Sequence, residues 1–244
     1  MSGHSKWKQI KHKKALTDAK KGKAFSKMAR VLSVAAKEKG TDLDANVKLR
    51  TAVEKARALG MPMSNIERAV ARGTGKTNEA ALEEVLYEAY GPGGSAFLIE
   101  GITDSRNRTT SEIKHLLSEY DGRLAAQGSV EWLFTKTFVI EFTKEEGMDE
   151  EALELSLIDA GATDIQQDDD LVTVYTNPAT ADALKKTLAR SKLVVLQEYS
   201  DRISKNSIQV PDEHVKQKIL ALYEALDDHD DIQNVYTNVQ LQYA

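Results

Sequence analysis

Apolar positions along this chain follow two rhythms, and the change between them comes near residue 80. Before it the steps are three and four residues. Phe25, Met28, Leu32 and Ala35/Ala36 lie on one face of a helix predicted over residues 24–39, ending before Gly40. Leu49, Ala52, Val53, Ala56 and Leu59 predict a second helix, Ala45 to Leu59, with Asp44 as N-cap and Gly60 past its end. Ser64-Asn65-Ile66-Glu67 reads as a capping box opening a third, which Gly73 ends. Residues 1–23 are mostly polar and predict a weak helix at best, ordered only when a partner neutralises its lysines.

From Leu82 the pattern is that of strands. Val85 and Tyr87, then Ala96 to Ile99, predict two strands joined by a turn at Gly91-Pro92-Gly93-Gly94. Ile113, Leu116, Leu117 and Tyr120 predict a helix behind a Thr109…Glu112 capping box, closed by Gly122, and a strand is expected around Ser129–Phe134. Residues 136–203 read as one unit. Phe138, Ile140 and Phe142 alternate; Leu153, Leu157 and Ala160 mark a helix stopped by Gly161; two strands flank Asp168-Asp169-Asp170. Asn177-Pro178 is read as N-cap and first helical residue of a helix carrying Leu184 and Leu188, before a strand Leu193–Tyr199. That order is β-α-β-β-α-β, ferredoxin-like. A helix Asp212–Leu226 and a strand Ile232–Thr237 follow.

The expected fold is therefore α+β and multidomain. It has a basic arm (1–23), an N-terminal three-helix domain (24–76), a discontinuous α+β middle domain (80–134 plus 205–240) and an inserted ferredoxin-like domain (136–203).

Charge changes this picture. Residues 1–76 hold 19 basic and 6 acidic side chains, a net +13, while the rest of the chain is −18. The total of −5 hides a dipolar molecule. A dense positive arm on an acidic body predicts a polyanion met at one end. Lys6, Lys8, Lys11, Lys13, Lys14, Lys20, Lys21, Lys23, Lys27 and Arg30 are candidate phosphate contacts, with His12 among them and Trp7 as a base-stacking candidate. Phe25 lies on the helix stripe and reads as core. Arg106-Asn107-Arg108, between a strand and a helix, suits phosphate.

Other chemistry is thin. There is no Cys, which excludes disulfides, thiolate metal sites and Cys nucleophiles. No stretch approaches the roughly 18 apolar residues of a bilayer span, and the N-terminus lacks a secretory apolar region. Gly75-Lys76-Thr77 resembles the end of a P-loop, but Val70 stands where its first Gly belongs. The acidic clusters Asp168–Asp170 and Asp227, Asp228, Asp230, Asp231 lack calcium-loop spacing and read as solvated turns. No catalytic, metal or cofactor site is expected.

Several ordered motifs resemble the YebC family: Ser2-Gly3-His4-Ser5-Lys6-Trp7, Lys11-His12-Lys13-Lys14, Gly60-Met61-Pro62, Asn65-Ile66-Glu67-Arg68-Ala69, Tyr87 to Gly94, and Thr103 to Thr109. The resemblance implies three domains, a cytoplasmic location in bacteria, and a role described either as transcriptional regulation or as translation on the ribosome. The expected function is a non-enzymatic, nucleic-acid-binding regulator, acting as a monomer without cofactor or membrane. Its expected partners are rRNA or tRNA on the ribosome, with ribosomal proteins beside them; the alternative is a DNA-binding transcriptional regulator. A ligand sensor built on residues 136–203 is a third reading, which fold alone does not support. Reversal of Lys11, Lys13 and Lys14 to Glu is expected to cut nucleic-acid binding and leave the melting temperature nearly unchanged, because exposed charges add little to stability. A filter-binding titration beside a thermal melt checks both.

Overall fold

The computed structural model describes residues 18–144, 148–191 and 193–240. The fold is α+β, and the described residues form seven helices and two four-stranded antiparallel sheets. By contact the chain separates into two units. One holds the described residues up to Trp132 together with the segment from Asn206 onward; the other is Leu133–Lys205.

In the first unit the chain opens with α1 (Asp18–Lys39), α2 (Val47–Ala58) and α3 (Met63–Gly73). Their stripes meet in one core of Leu32, Ala35, Leu49, Val53, Ala56 and Ile66, with Phe25 and Met28 packed at its margin. α1 is described from Asp18, so residues 18–23, assigned to the arm, belong to this helix. The N-cap of α2 is Asn46, two residues after the expected Asp44. Asn46 is buried and serves both helices. Its Oδ1 accepts from Leu49 N (3.0 Å), while its Nδ2 donates to the carbonyls of Ala35 and Gly40 (both 2.8 Å). An Asp has no donor for those two carbonyls. α3 begins at Met63 behind Pro62, whose φ of −57° and ψ of 141° suit the entry, and no side-chain cap is made. Ser64 therefore sits inside the first turn, and the expected capping box does not form.

α1 and α3 approach backbone to backbone. Ser33 Oγ donates to Ala69 O (2.7 Å), and a Cβ on Gly73 would lie 2.1 Å from Ser33 O. Glycine is required there by contact rather than by backbone angle.

The first sheet follows. β1 (Glu83–Tyr90) and β2 (Ala96–Thr103) form a hairpin across a 3-10 turn at Pro92–Gly94. α4 (Arg106–Glu119) comes next, then β3 (Arg123–Leu124), which pairs with the end of β1. α4 starts before the expected Thr109, with Ser105 at its cap position; the Thr109 hydroxyl is engaged elsewhere, as described below. The strand expected at Ser129–Phe134 is absent. The backbone amides of Gly128, Val130 and Glu131 donate instead to the buried carboxylate of Glu88, so they cannot serve a ladder. Burial pushes the Glu88 carboxyl up, but those three amides outweigh it and hold it below the usual range.

The second unit runs β4 (Phe134–Thr143), α5 (Glu150–Asp159), β5 (Ala162–Asp168), β6 (Leu171–Thr176), α6 (Ala181–Arg190) and β7 (Val195–Ser204). Its sheet order is β5-β6-β4-β7, all antiparallel, with Leu157, Leu184 and Leu188 packed on Ile140, Phe142 and Val174. The order of elements is the split β-α-β one. α6 starts later than Asn177-Pro178: Asn177 Oδ1 accepts from Ala179 N (2.9 Å), making a turn, and the helix begins at Ala181. β7 reaches Ser204, five residues past the expected Tyr199.

The chain then returns to the first unit. α7 (Glu213–Asp227) is capped by Asp212, and β8 (Ile232–Thr237) pairs with β2, giving the sheet order β3-β1-β2-β8. Ile219, Leu222 and Leu226 of α7 join Ile113 and Leu117 of α4 over Phe97, Ile99 and Val235. A smaller cluster, Val34 with Leu82 and Ile102, packs α1 on the sheet.

Gly73→Ala is expected to lower stability by ~1–3 kcal/mol, the usual cost of overpacking. Gly22→Ala, with open space around it in α1, should not destabilise and should gain some helix propensity. Urea melts of the two variants provide the check.

Candidate nucleic-acid interface

The basic side chains of α1 line up at steps of four and three: Lys23, Lys27, Arg30. The structure places this row against the C-terminal end of α7 and the turn behind it. Lys23 Nζ meets Asp228 Oδ2 at 2.5 Å, and Lys27 Nζ donates to Asp227 O at 2.6 Å. Arg30 Nη2 meets Asp231 Oδ1 at 2.8 Å, and its Nη1 donates to Ile102 O at 3.1 Å. A helix C-terminus with unsatisfied carbonyls favours cations, and the acidic residues there add to it. The cluster Asp227, Asp228, Asp231, expected to be a solvated turn, is thus the dock for α1.

Asp231 is the centre of this dock. It is 2% exposed. Its Oδ2 accepts from Arg108 Nη2 (2.8 Å), Thr109 Oγ1 (2.5 Å) and Thr103 Oγ1 (3.0 Å). Its backbone N–H donates to His229 Nδ1 (3.1 Å), and its carbonyl accepts from Ile102 N (2.7 Å). Burial pushes the carboxyl up; the bonds from Thr109 and Arg108, the charge of Arg30 and the bond from Thr103 outweigh it and hold it below the usual range. Glu112, His229 and Asp231 stand at metal-ligand spacing. Their atoms are already committed, His229 Nε2 to Glu112 at 3.0 Å and Asp231 to two guanidiniums, so the trio reads as a hydrogen-bond network.

The Arg106-Asn107-Arg108 group also differs from the expectation of a free phosphate clamp. Arg106 pairs with Glu83 (2.9 Å), and Arg108 pairs with Asp104 (3.0 Å) as well as Asp231. Asn107 is exposed. Lys6, Trp7, Lys8, Lys11, His12, Lys13 and Lys14 lie outside the described residues, as does the side chain of Lys20.

Cations remain for a partner. Among the described residues of the helical segment, Lys21, Lys39, Arg68 and Lys76 have neither an ion pair nor a side-chain hydrogen bond. Arg68 borders a groove of about 330 Å³ between α1 and α3. Phe25 and Ser26 form one wall, Asn65 and Arg68 the other, and Ala29 and Ala69 line it between them. Arg30 and Arg72 also line it, and Arg72 is held by Glu79 (3.1 Å) and Asp104 (3.4 Å). Sequence reading missed Asn65, Arg68 and Arg72, although their spacing of three and four along α3 marks one polar face.

Comparison with known proteins adds the following. A family model described as the TACO1/YebC protein N-terminal domain matches residues 5–76, and one described as the TACO1/YebC second and third domain matches residues 82–239. A protein of Syntrophomonas wolfei named "Probable transcriptional regulatory protein" is 42% identical over 99% of this chain and 97% of its own length. One of the same description from Thermoanaerobacter pseudethanolicus is 43% identical over 99% and 98%. The crystal structure of a conserved hypothetical protein from Aquifex aeolicus, 36% identical, superposes with a TM-score of 0.81 over 93% of both chains.

Asp231→Asn is expected to cost about 3–5 kcal/mol at neutral pH, because two guanidiniums lose their shared counter-charge. A carboxyl held below its unfolded value of about 3.9 contributes stability that is complete above that pH and lost as pH falls through the folded value. The gap between wild type and variant should therefore be constant from pH 5 to 8, in order-of-magnitude terms, and narrow below about pH 4. Chemical denaturation across pH measures this.

Proposed function

The chain belongs to the TACO1/YebC family, and from that footing we propose that it is a non-enzymatic, nucleic-acid-binding regulator acting on the ribosome, where its basic N-terminal segment meets rRNA or tRNA. The observation that carries this reading is the separation of charge: +13 on residues 1–76 against −18 on the remainder. Phosphate neutralisation with counter-ion release gives such a segment its affinity, and the acidic remainder opposes indiscriminate adhesion to polyanions. Lys23, Lys27 and Arg30 do a different job from the lysines before them. Spent on the C-terminal end of α7 and the turn behind it, they fix the direction of α1. Among the described residues of the helical segment, Lys21, Lys39, Arg68 and Lys76 are the cations left for phosphate.

The relatives' printed names favour a second reading, a DNA-binding regulator of transcription. Sequence-specific footprinting that survives excess competitor DNA would promote it over the first. No helix among the described residues is long and apolar enough to cross a membrane.

In sedimentation with ribosomes at roughly 0.1 M salt, the full chain is expected in the ribosome fraction and should leave it as salt rises. Removal of residues 1–17, which keeps Asp18–Lys39, is expected to weaken the association at least severalfold. Absence of the full chain from that fraction, or indifference to the truncation, would sink the ribosomal reading.

A further inference from the structure

We propose that the groove between α1 and α3 seats one unpaired nucleotide of a single-stranded RNA segment, with its phosphate on Arg68 and its base against Phe25. This rests on the nucleic-acid reading above and states which part of a polynucleotide the helical segment takes.

Size is the first argument. About 330 Å³ lies at the low end of small-ligand sites, which begin on the order of 300 Å³. That is room for one nucleotide and too little for a base pair. A duplex keeps its bases stacked and offers a convex row of phosphates, which a concave site between two helices does not fit. An unpaired nucleotide can be splayed out and inserted.

Charge is the second. Three guanidiniums border the groove, and they are not equivalent. Arg30 is neutralised by Asp231, and Arg72 by Glu79 and Asp104, so neither is left for a phosphate. Arg68 is exposed and has no carboxylate, which leaves its planar fork for a phosphate.

The third is the mixture of surfaces. Phe25 is half-buried, held by the helical core on one side and bordering the groove on the other. A ring immobilised in that way is a stacking platform tolerant of base identity. Asn65 offers an amide, which carries both the donor and the acceptor that a base edge requires.

The test uses the full chain and two fluorescein-labelled probes, an unstructured ten-nucleotide RNA and a blunt duplex of the same sequence, read by anisotropy. The wild type is expected to prefer the single strand. Arg68→Ala and Phe25→Leu should each weaken single-strand binding roughly tenfold and leave duplex binding within about twofold. Ser26→Trp, at an exposed position on the rim, fills the groove without touching the core and should give the same loss even if Phe25→Leu disturbs folding. Unchanged single-strand affinity in both Arg68→Ala and Ser26→Trp overturns the proposal, as does an equal loss on both probes. Failure of the wild type to bind either probe defeats the nucleic-acid reading itself, and the groove with it.

Discussion

A carboxylate withdrawn from water must be compensated where it lies, and Asp231 is compensated by four side chains from three separate elements. Arg30 comes from α1, Thr103 from the end of β2, and Arg108 with Thr109 from the first turn of α4. Each partner reaches the same two oxygens only if its own element is in place. Desolvation of the ion costs several kcal/mol, and an incomplete set of donors would not recover it. Partial assemblies are therefore penalised, and the helical segment, the hairpin and the C-terminal strand are bound to one mutual arrangement. The small apolar contact of Val34 with Leu82 and Ile102 supplies attraction there but little direction.

The same physics recurs elsewhere in different chemistry. Glu88 is satisfied by the backbone alone, through amides that a sheet would otherwise use, and the result is a fixed loop where a strand was expected. In the second unit the buried Glu141 accepts from Tyr199 (2.8 Å) and Gln197 (2.5 Å), and burial with that neighbouring charge drives the Tyr199 hydroxyl far above its ordinary pKa. Of these three buried acids, Asp231 and Glu88 mark places where local pattern yields to tertiary demand, whereas Glu141 lies in a strand that follows its alternation.

Those places are also where the sequence was hardest to read. Helices α1, α2 and α7 and strands β2 and β8 follow from periodicity, because each buries one face whose apolar residues recur at the period of its own element. The strand expected at Ser129–Phe134 failed because its amides belong to a carboxylate forty residues earlier. The caps at Asp44 and Thr109 failed for a related reason, since a cap read from spacing ignores partners brought in by the fold, and Ser64 failed because α3 already begins at Met63 behind Pro62. The positive sign of the N-terminal segment was plain from composition, but its internal pairing was not. Lys23 and Asp228 are 205 residues apart, and nothing local links them. Arg68 was visible as a charge, and only the packing of α1 on α3 put a cavity beside it.

The second unit leaves and rejoins the chain at neighbouring points. Leu133 O accepts from Lys205 N at 2.8 Å, and Phe134 stands opposite Ser204 across the first rung of the β4–β7 ladder. To the host, a long excursion whose ends are clasped in this way is equivalent to a tight hairpin. The entropy of closing the large loop is absorbed within the excursion's own folding, and the segment from Asn206 onward is handed back beside Trp132. Such a clasp makes the unit interchangeable in principle: another module of any size could occupy the position if its termini met at the same separation.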